Sequence, residues 1–210
     1  MTEDNPNQQL IDYFSGLVEK ELIKRFGELK GKGLHQLYER QFRIHYNNYN
    51  QMLVDDLAKR HGVNSLFLMA MDDVLLEVKA SYSDLKEAVL SIYGAMLNDY
   101  LQEEVDGFLK SKDPWSAFVE WVRKGNAANY NNDYFKAIEV ENDENNFGFN
   151  IRRCLYFEIL KEAGRPELGP ILCEYDRLIA DVVDDWIKFT RHETIASGDK
   201  LCTFRYERLQ

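Results

Sequence analysis

Apolar residues recur every three or four positions through the first 126 residues, with charged and polar residues between them. This spacing places the apolar side chains on one face of a helix and is typical of amphipathic helices. Glycines and capping residues mark where these helices begin and end. The predicted helices cover about residues 7–28, 34–61, 64–78, 83–108 and 113–124, with breaks at Gly27, Gly31 to Gly33, Gly62 and Gly125.

The period of the pattern drops to two after an Asn-rich loop at 127–133. Two alternating segments separated by polar turn residues predict a hairpin, and two helices and two further strands follow it. Because hairpins pair antiparallel and no βαβ alternation appears, the predicted fold class is α+β, an N-terminal helical region followed by a small antiparallel sheet packed with two helices. The predicted strands are 134–140, 147–151, 186–196 and 201–207, and the predicted helices are 152–163 and 166–183.

The change of pattern divides the chain into two regions. Residues 1–126 form the helical region and residues 134–210 form the α+β region, unless both belong to one continuous domain. A length of 210 residues is sufficient for either arrangement and for a sizeable core. The sequence leaves a homo-oligomer open.

The charge balance narrows the range of partners. With 36 acidic and 26 basic residues the formal net charge is −10, which argues against binding to nucleic acid or to an anionic membrane surface. A small anion can still bind where a few arginines converge. No apolar run approaches the roughly 18 residues of a membrane span, and residues 1–9 lack a signal-peptide pattern. We therefore expect a cytoplasmic protein with a small-molecule partner.

All three cysteines lie at the edges of predicted C-terminal elements. An odd number of widely spaced cysteines argues for free thiols in a reducing compartment. Cys154 follows Arg152 and Arg153 at a predicted helix start, where positive charge favours the thiolate form, and the alternative is a small core residue. Cys202 alternates with aromatic residues on the last predicted strand, which indicates a buried position.

Polar residues near the cysteines supply candidate acid–base and anion-binding groups. Cys173 and Asp176 are three positions apart on a predicted helix and so share a face. Asp176 is a candidate general acid or base, and its alternatives are a backbone hydrogen bond or an ion pair with Arg177 or Arg191. Arg191 and Arg205 are candidates to hold a substrate carboxylate, since a guanidinium fork matches a carboxylate, with surface salt bridges as the alternative.

Metal binding has less support in the sequence. No Cys-x-x-Cys or His-x-x-x-His motif occurs, so no metal ligand and no cofactor are predicted. Zinc would be held only if the three thiolates converged with His192 or Glu158. Among the other histidines, His45 lies on an apolar stripe and is expected in the core, whereas His61 is expected to be exposed or capping at a helix end.

The C-terminal blocks resemble the L-2-amino-thiazoline-4-carboxylic acid hydrolase family over about residues 134–207. That family has a cysteine after an alternating strand, then a Leu-Gly-Pro-x-Leu-Cys-x-x-Asp helix, then an ending with Phe-x-Arg, Gly-Asp and Cys-x-Phe-Arg. The ending also resembles, more faintly, ligand-binding domains of the vinyl-reductase type. The matching positions are Cys154, Leu168, Gly169, Pro170, Leu172, Cys173, Asp176, Phe189, Arg191, Thr194, Ala196, Gly198, Asp199, Cys202, Phe204 and Arg205.

The resemblance implies a hydrolase that opens a small cyclic amidine, a thiazoline carboxylate, to an N-carbamoyl cysteine. A non-catalytic domain that senses a small molecule or binds zinc is the alternative, and a helical interaction protein is a third reading. In the hydrolase, Cys154 or Cys173 would be the nucleophile and Asp176 the general acid or base. The implied catalytic residues are Cys154, Cys173, Asp176 and Cys202, and the implied residues that bind an anionic substrate are Arg191, Thr194 and Arg205.

Overall fold

The computed structural model describes residues 6–209, so the first residues of the predicted helical region and the last of the predicted α+β region lie outside the described residues. The fold is α+β, as predicted. Within the described part, no helix is both long enough and apolar enough to cross a membrane. In chain order the elements are α1 (Pro6–Phe26), α2 (Glu28–Tyr49), α3 (Asp56–Glu77), α4 (Tyr82–Lys110), α5 (Pro114–Asn129), β1 (Ala137–Asn142), β2 (Asn146–Ile151), α6 (Leu155–Glu162), α7 (Gly169–Cys173), α8 (Tyr175–Asp181), β3 (Ile187–Thr190) and β4 (Cys202–Arg208).

A glycine separates the first two helices where the sequence predicts it. Gly27 has a φ of 81°, in the region that favours glycine, and it ends α1 as expected. The break predicted at Gly31 to Gly33 is wrong, because both glycines lie inside α2. A Cβ atom on Gly31 would stand 2.5 Å from the backbone of Ile23, so this glycine allows α1 and α2 to pack closely.

The single helix predicted over 34–61 is also wrong. Helix α2 ends at Tyr49, and α3 begins after Asp55, whose carboxylate accepts a hydrogen bond from the Ala58 N–H at 2.7 Å. Gly62 does not end a helix but lies buried within α3, where a Cβ atom would meet the Leu53 side chain. The glycine signals in this part of the chain therefore reflect close packing rather than helix ends.

The starts of the next two helices agree with the sequence. Ser81 and Asp84 form a capping box at the start of α4, in which each side chain accepts from a backbone N–H of the other residue. Asp113 precedes Pro114 at the start of α5, as predicted. The predicted stop at Gly125 is wrong, since α5 continues to Asn129.

The four strands form one antiparallel sheet in the order β1-β2-β4-β3. The predicted first hairpin is confirmed, with Ala137 opposite Ile151. The predicted strand 186–196 is too long, because regular pairing with β4 ends at Thr190 and a 3-10 turn forms at Ile195–Ser197. The predicted helix 166–183 is divided into a 3-10 turn, α7 and α8, since the backbone tightens to a Glu174-to-Ile171 hydrogen bond between α7 and α8.

Buried apolar side chains form one cluster that extends from Phe14 in α1 to Tyr206 in β4. Helix α5 packs on the sheet through Phe118, whose ring centroid lies 5.2 Å from that of Tyr206. His45 is buried, as expected, and its Nε2 lies 2.7 Å from a carboxylate oxygen of Asp73. The domain division between residues 126 and 134 stays a prediction.

Two glycines on different faces of α2, Gly31 and Gly33, allow a matched test of the α1–α2 contact. Gly31→Ala places a Cβ against the Ile23 backbone, and we expect the overpacking to lower the free energy of unfolding by about 1–3 kcal/mol. Gly33→Ala meets no atom within 4 Å and should stabilise the helix by roughly 0.5–1 kcal/mol. Urea unfolding of both variants measures the difference. Equal stability of the two variants would show that the helices do not pack this closely.

Candidate functional site

A cavity of about 570 Å³ lies between the helical layer and one face of the sheet. Its walls come from all parts of the chain, since helices α1, α3, α4 and α5 contribute as well as β2, β4 and the three short helices. Most of the lining is apolar or aromatic, as is usual for sites that bind small molecules. Aromatic residues in the wall include Tyr93, Trp121, Tyr130, Tyr156, Phe204 and Tyr206.

The three cysteines, far apart in the sequence, all line this cavity. Cys154 is the residue before α6, Cys173 is the last residue of α7, and Cys202 is the first residue of β4. The Ile195 N–H donates to the Cys202 Sγ at 3.3 Å. None of the three forms a disulfide. The fold therefore gathers three free thiols in one cavity, which no spacing in the sequence could establish.

An ion pair between Asp176 and Arg191 lies beside the thiols. Asp176 is in the first turn of α8, and Arg191 follows β3. The Arg191 Nη1 donates to an Asp176 carboxylate oxygen, and its Nη2 donates to the Cys173 carbonyl at 2.7 Å. The guanidinium also lies over the Phe204 ring, 5.6 Å from its centroid. The pairing with Arg191 is one of the alternatives that the sequence left open, whereas Arg177 pairs with Glu174 instead.

Burial makes Asp176 a weaker acid than an ordinary aspartate. The side chains of Arg191 and Asp176 are only 11% and 28% exposed, and both line the cavity. Burial raises the pKa of Asp176 to about 6, although the positive charge and hydrogen bond of Arg191 oppose the shift. A carboxyl group that titrates near neutral pH can both accept and release a proton, which is the property required of an acid–base catalyst.

Burial also affects the thiols, and here one expectation is wrong. Burial raises the pKa of Cys154, which contradicts the prediction of a stabilised thiolate. The neighbouring Arg153 does not face the thiol, because its guanidinium donates to both carboxylate oxygens of Glu158 at 2.7 Å. Burial and the charge of Asp176 raise the pKa of Cys173 to about 12. Burial raises the pKa of Cys202 as well.

Two of the predicted substrate-binding residues are not among the residues that line the cavity. Thr194 caps the 3-10 turn, where its hydroxyl accepts from the Ser197 N–H at 3.2 Å. Arg205 alternates with the inward-facing Phe204 and donates to the Phe149 and Phe204 carbonyls at 3.0 and 2.8 Å. Thr194 shapes a loop and Arg205 joins strands, so of the three predicted anion-binding residues only Arg191 reaches the cavity.

Gly198 and Asp199, the Gly-Asp pair of the sequence motif, stabilise the loop that contains the 3-10 turn at Ile195–Ser197. Gly198 has a φ of 97°, a conformation that favours glycine, and it ends the 3-10 turn. The Asp199 carboxylate accepts from the Thr194 N–H at 2.9 Å. These contacts fix Ile195, whose N–H donates to Cys202. The motif residues in this loop thus hold one thiol in place rather than contact a ligand.

His61 also lines the cavity, although the sequence analysis did not select it as a site residue. His61 is buried with 5% exposure inside α3, so the expectation of an exposed or capping residue is wrong. Its Nδ1 lies 2.8 Å from the Tyr156 hydroxyl, and burial together with the charge of Arg60 lowers the pKa of His61 to about 4. The misplaced helix end at Gly62 hid this residue, because a correct α3 would have put His61 on a buried turn.

The structure was searched for side chains that could coordinate a metal ion. Across residues 6–209, no three or more histidine, cysteine, aspartate or glutamate side chains come together in a way that could hold a metal ion. Glu158, one of the suggested partners of a thiolate zinc site, is engaged by Arg153. The expectation of no cofactor stays a prediction, with zinc binding by the cysteines as its alternative.

The chain was compared with solved structures and with curated proteins. A solved structure described as the NMR structure of the SO2144 H-NOX domain from Shewanella oneidensis in the Fe(II)CO ligation state is similar, at 10% identity and a TM-score of 0.46, with 94% of this chain and 98% of that chain covered. The search of curated proteins returns no match.

A comparison with models of protein families shows the family of the chain. A family model described as L-2-amino-thiazoline-4-carboxylic acid hydrolase matches residues 63–206. The match contains the three cysteines, Asp176 and Arg191, and it begins within α3, well before the C-terminal blocks that carry the resemblance in the sequence. Since the model covers more than half of the chain, the protein belongs to the L-2-amino-thiazoline-4-carboxylic acid hydrolase family.

Proposed function

We propose that this chain hydrolyses a thiazoline carboxylate or a closely related cyclic amidine, with Asp176 as the group that transfers protons. Membership of the family supports a hydrolase-type function. The observation that carries the proposal is the position of Asp176, a carboxyl group with a pKa of about 6 that faces a ligand-sized cavity and is oriented by Arg191. Carboxyl groups that combine burial, a fixed orientation and a pKa near neutrality are concentrated at functional sites.

Hydrolysis requires several proton transfers among the oxygen, nitrogen and sulfur atoms bonded to one ring carbon. Water adds to the carbon that is bonded to both the ring nitrogen and the ring sulfur, and the Asp176 carboxylate accepts a proton from that water. The ring nitrogen takes up this proton. The new hydroxyl group then loses its proton as the carbon–sulfur bond breaks, and the sulfur leaves as a thiol. The product is an N-carbamoyl cysteine, and water is the only co-reactant.

Arg191 acts in this scheme as a positioning residue. Its two hydrogen bonds connect the Asp176 carboxylate to the Cys173 carbonyl, so one guanidinium fixes the start of α8 relative to the end of α7. It also limits the rise in the pKa of Asp176, which keeps a fraction of the carboxyl group ionised at neutral pH.

The cysteines permit a second version of the same reaction, in which Cys173 or Cys154 attacks the ring carbon. Burial keeps these thiols protonated, so such an attack needs a base to remove the thiol proton. Asp176 is the carboxyl group whose charge acts most strongly on Cys173, ahead of Glu174, and it would be that base. Both versions therefore depend on Asp176, and only the covalent version depends on a cysteine.

A non-catalytic ligand-binding domain is the second candidate. The size of the cavity favours it, because 570 Å³ exceeds what one small ring needs. In that case the buried ion pair and the thiols would recognise a ligand without converting it. Turnover separates the two candidates, since only the hydrolase releases a new thiol from a thiazoline.

Replacing Asp176 tests the catalytic assignment. Asp176→Asn keeps the size of the side chain and an oxygen that can accept from Arg191, but it cannot transfer the proton. We expect hydrolysis of L-2-amino-thiazoline-4-carboxylate to slow by at least about a hundredfold. The rate is measured as the release of thiol. Asp181→Asn, at an exposed position on the same helix, is the control and should keep full activity. Intact turnover in Asp176→Asn would remove Asp176 from the mechanism.

Alkylation of the folded protein tests the state of the thiols. With raised pKa values, Cys154 and Cys173 should react with iodoacetamide near neutral pH at least about a hundredfold more slowly than free cysteine, and Cys202 should also react more slowly than free cysteine. The same protein unfolded in urea should react at the ordinary rate. One cysteine that reacts faster than free cysteine in the folded protein would contradict the buried, protonated state and identify that residue as an activated nucleophile.

A further inference from the structure

The cavity differs in charge from the protein as a whole. The chain has a formal net charge of −10. Among the described residues that line the cavity, however, three are cationic, namely Arg60, Lys124 and Arg191, and only Asp176 carries a carboxyl group. His61 is neutral at physiological pH because its pKa is lowered to about 4. An acidic protein thus surrounds a cavity with an excess of positive charge, which favours an anionic ligand.

Two of the cations lie at the rim of the cavity. We use the term cavity rim for the three lining residues that are solvent-exposed, which are Arg60 on α3, Tyr100 on α4 and Lys124 on α5. The Arg60 guanidinium donates to the Asn129 side chain at 3.0 Å, which orients it across to α5.

Lys124 is held only weakly by its own neighbours. It lies 3.6 Å from Glu120, but the two side chains are 75% and 57% exposed, and water screens such a pair strongly. Arg60 bonds a neutral amide rather than a carboxylate. Both rim cations can therefore contact an incoming anion without breaking a strong ion pair.

The third cation is not available in the same way. Arg191 already donates to Asp176 and to the Cys173 carbonyl, and its flat face covers Phe204. A ligand carboxylate at Arg191 would have to compete with the Asp176 carboxylate beside it. The positive charge that can be offered to a ligand is consequently at the rim, while the rest of the cavity is lined mainly by apolar and aromatic side chains.

The size of this space sets the class of ligand. A volume of about 570 Å³ lies within the range of roughly 300–1,000 Å³ found for pockets that enclose drug-sized molecules. One five-membered ring with two small substituents would leave most of the aromatic wall in contact with water. A ligand that fills the cavity needs an extended apolar body.

We propose that the cavity binds an amphipathic organic anion, whose ring-containing apolar body lies among the aromatic side chains and whose acidic group is held at the cavity rim by Arg60 and Lys124. Where the ligand is a substrate, a point that rests on the proposed function, it is a cyclic amidine with a larger apolar substituent than the thiazoline that gives the family its name. Arg60 and Lys124 then determine specificity for the anion.

A pair of fluorescent probes of nearly equal shape tests this proposal. Anilinonaphthalene sulfonate carries an aromatic body and one negative charge, and phenyl naphthylamine is the uncharged equivalent. We expect the sulfonate to bind the folded protein saturably with one site per chain. We expect it to bind more tightly than the amine at low salt and to lose this advantage as salt is added.

Three variants locate the site. The double variant Arg60→Gln, Lys124→Gln should weaken binding of the sulfonate roughly fivefold to tenfold and leave the amine unchanged. The double variant Lys110→Gln, Lys112→Gln removes the same charge at exposed positions outside the cavity lining, and it should change neither affinity. Ile179→Trp, which adds bulk at a half-buried position in the wall, should weaken both probes.

The proposal is overturned if the sulfonate does not saturate, or if the rim double variant binds it as tightly as the native chain. A loss of amine binding equal to the loss of sulfonate binding would overturn it as well. These results are independent of catalysis. If Asp176→Asn loses turnover while the rim variant keeps the sulfonate, the anion site fails and the hydrolase stands. If the rim variant loses the sulfonate and the native chain hydrolyses neither the thiazoline nor cyclic amidines with larger apolar substituents, the anion site stands and the hydrolase fails.

Discussion

The site depends on one ion pair that is largely withdrawn from bulk water. Arg191, which follows β3, donates to Asp176 at the start of α8 and to the last carbonyl of α7. A single guanidinium therefore joins the sheet to two short helices that contribute lining residues of the cavity. A buried charge pair adds little to stability by itself, but the loss of one partner leaves the other charge unpaired. The geometry of the cavity wall and the acidity of Asp176 are consequently set by the same contact.

The same ion pair explains how charge is divided along the cavity. Because Arg191 is committed to Asp176, it supplies orientation and acidity rather than a free binding site for an anion. The exposed cations Arg60 and Lys124 provide the charge at the opening. The rest of the wall is apolar and aromatic, and it contacts an apolar body without specifying it closely. A chemical centre at one part of the cavity and an anchoring group at another fit a hydrolase that acts on a compound larger than one ring.

The sequence predicted the local features and missed those that depend on distant contacts. The start of α5 at Asp113 and Pro114 and the hairpin of β1 and β2 follow from capping and alternation, which act over a few residues. Gly31 and Gly62 misled the prediction, because each is needed for a neighbour that lies elsewhere in the chain. Cys154, Cys173, Asp176 and Cys202 were all selected from the sequence, and the fold brings them to one cavity. The acidity of the thiols could not be predicted, since burial sets the pKa of Cys154 and the adjacent Arg153 pairs with Glu158 instead of the thiol.

Direct titration of Asp176 tests whether burial beside Arg191 makes this carboxyl group an acid–base centre. Carbon-detected NMR of the side-chain carboxyl follows its ionisation, and the signal missing from Asp176→Asn provides the assignment. We expect a midpoint at about 6. A midpoint near the ordinary aspartate value of about 3.9 would contradict it, because such a group would be fully ionised at neutral pH and poorly suited to return a proton to the leaving sulfur.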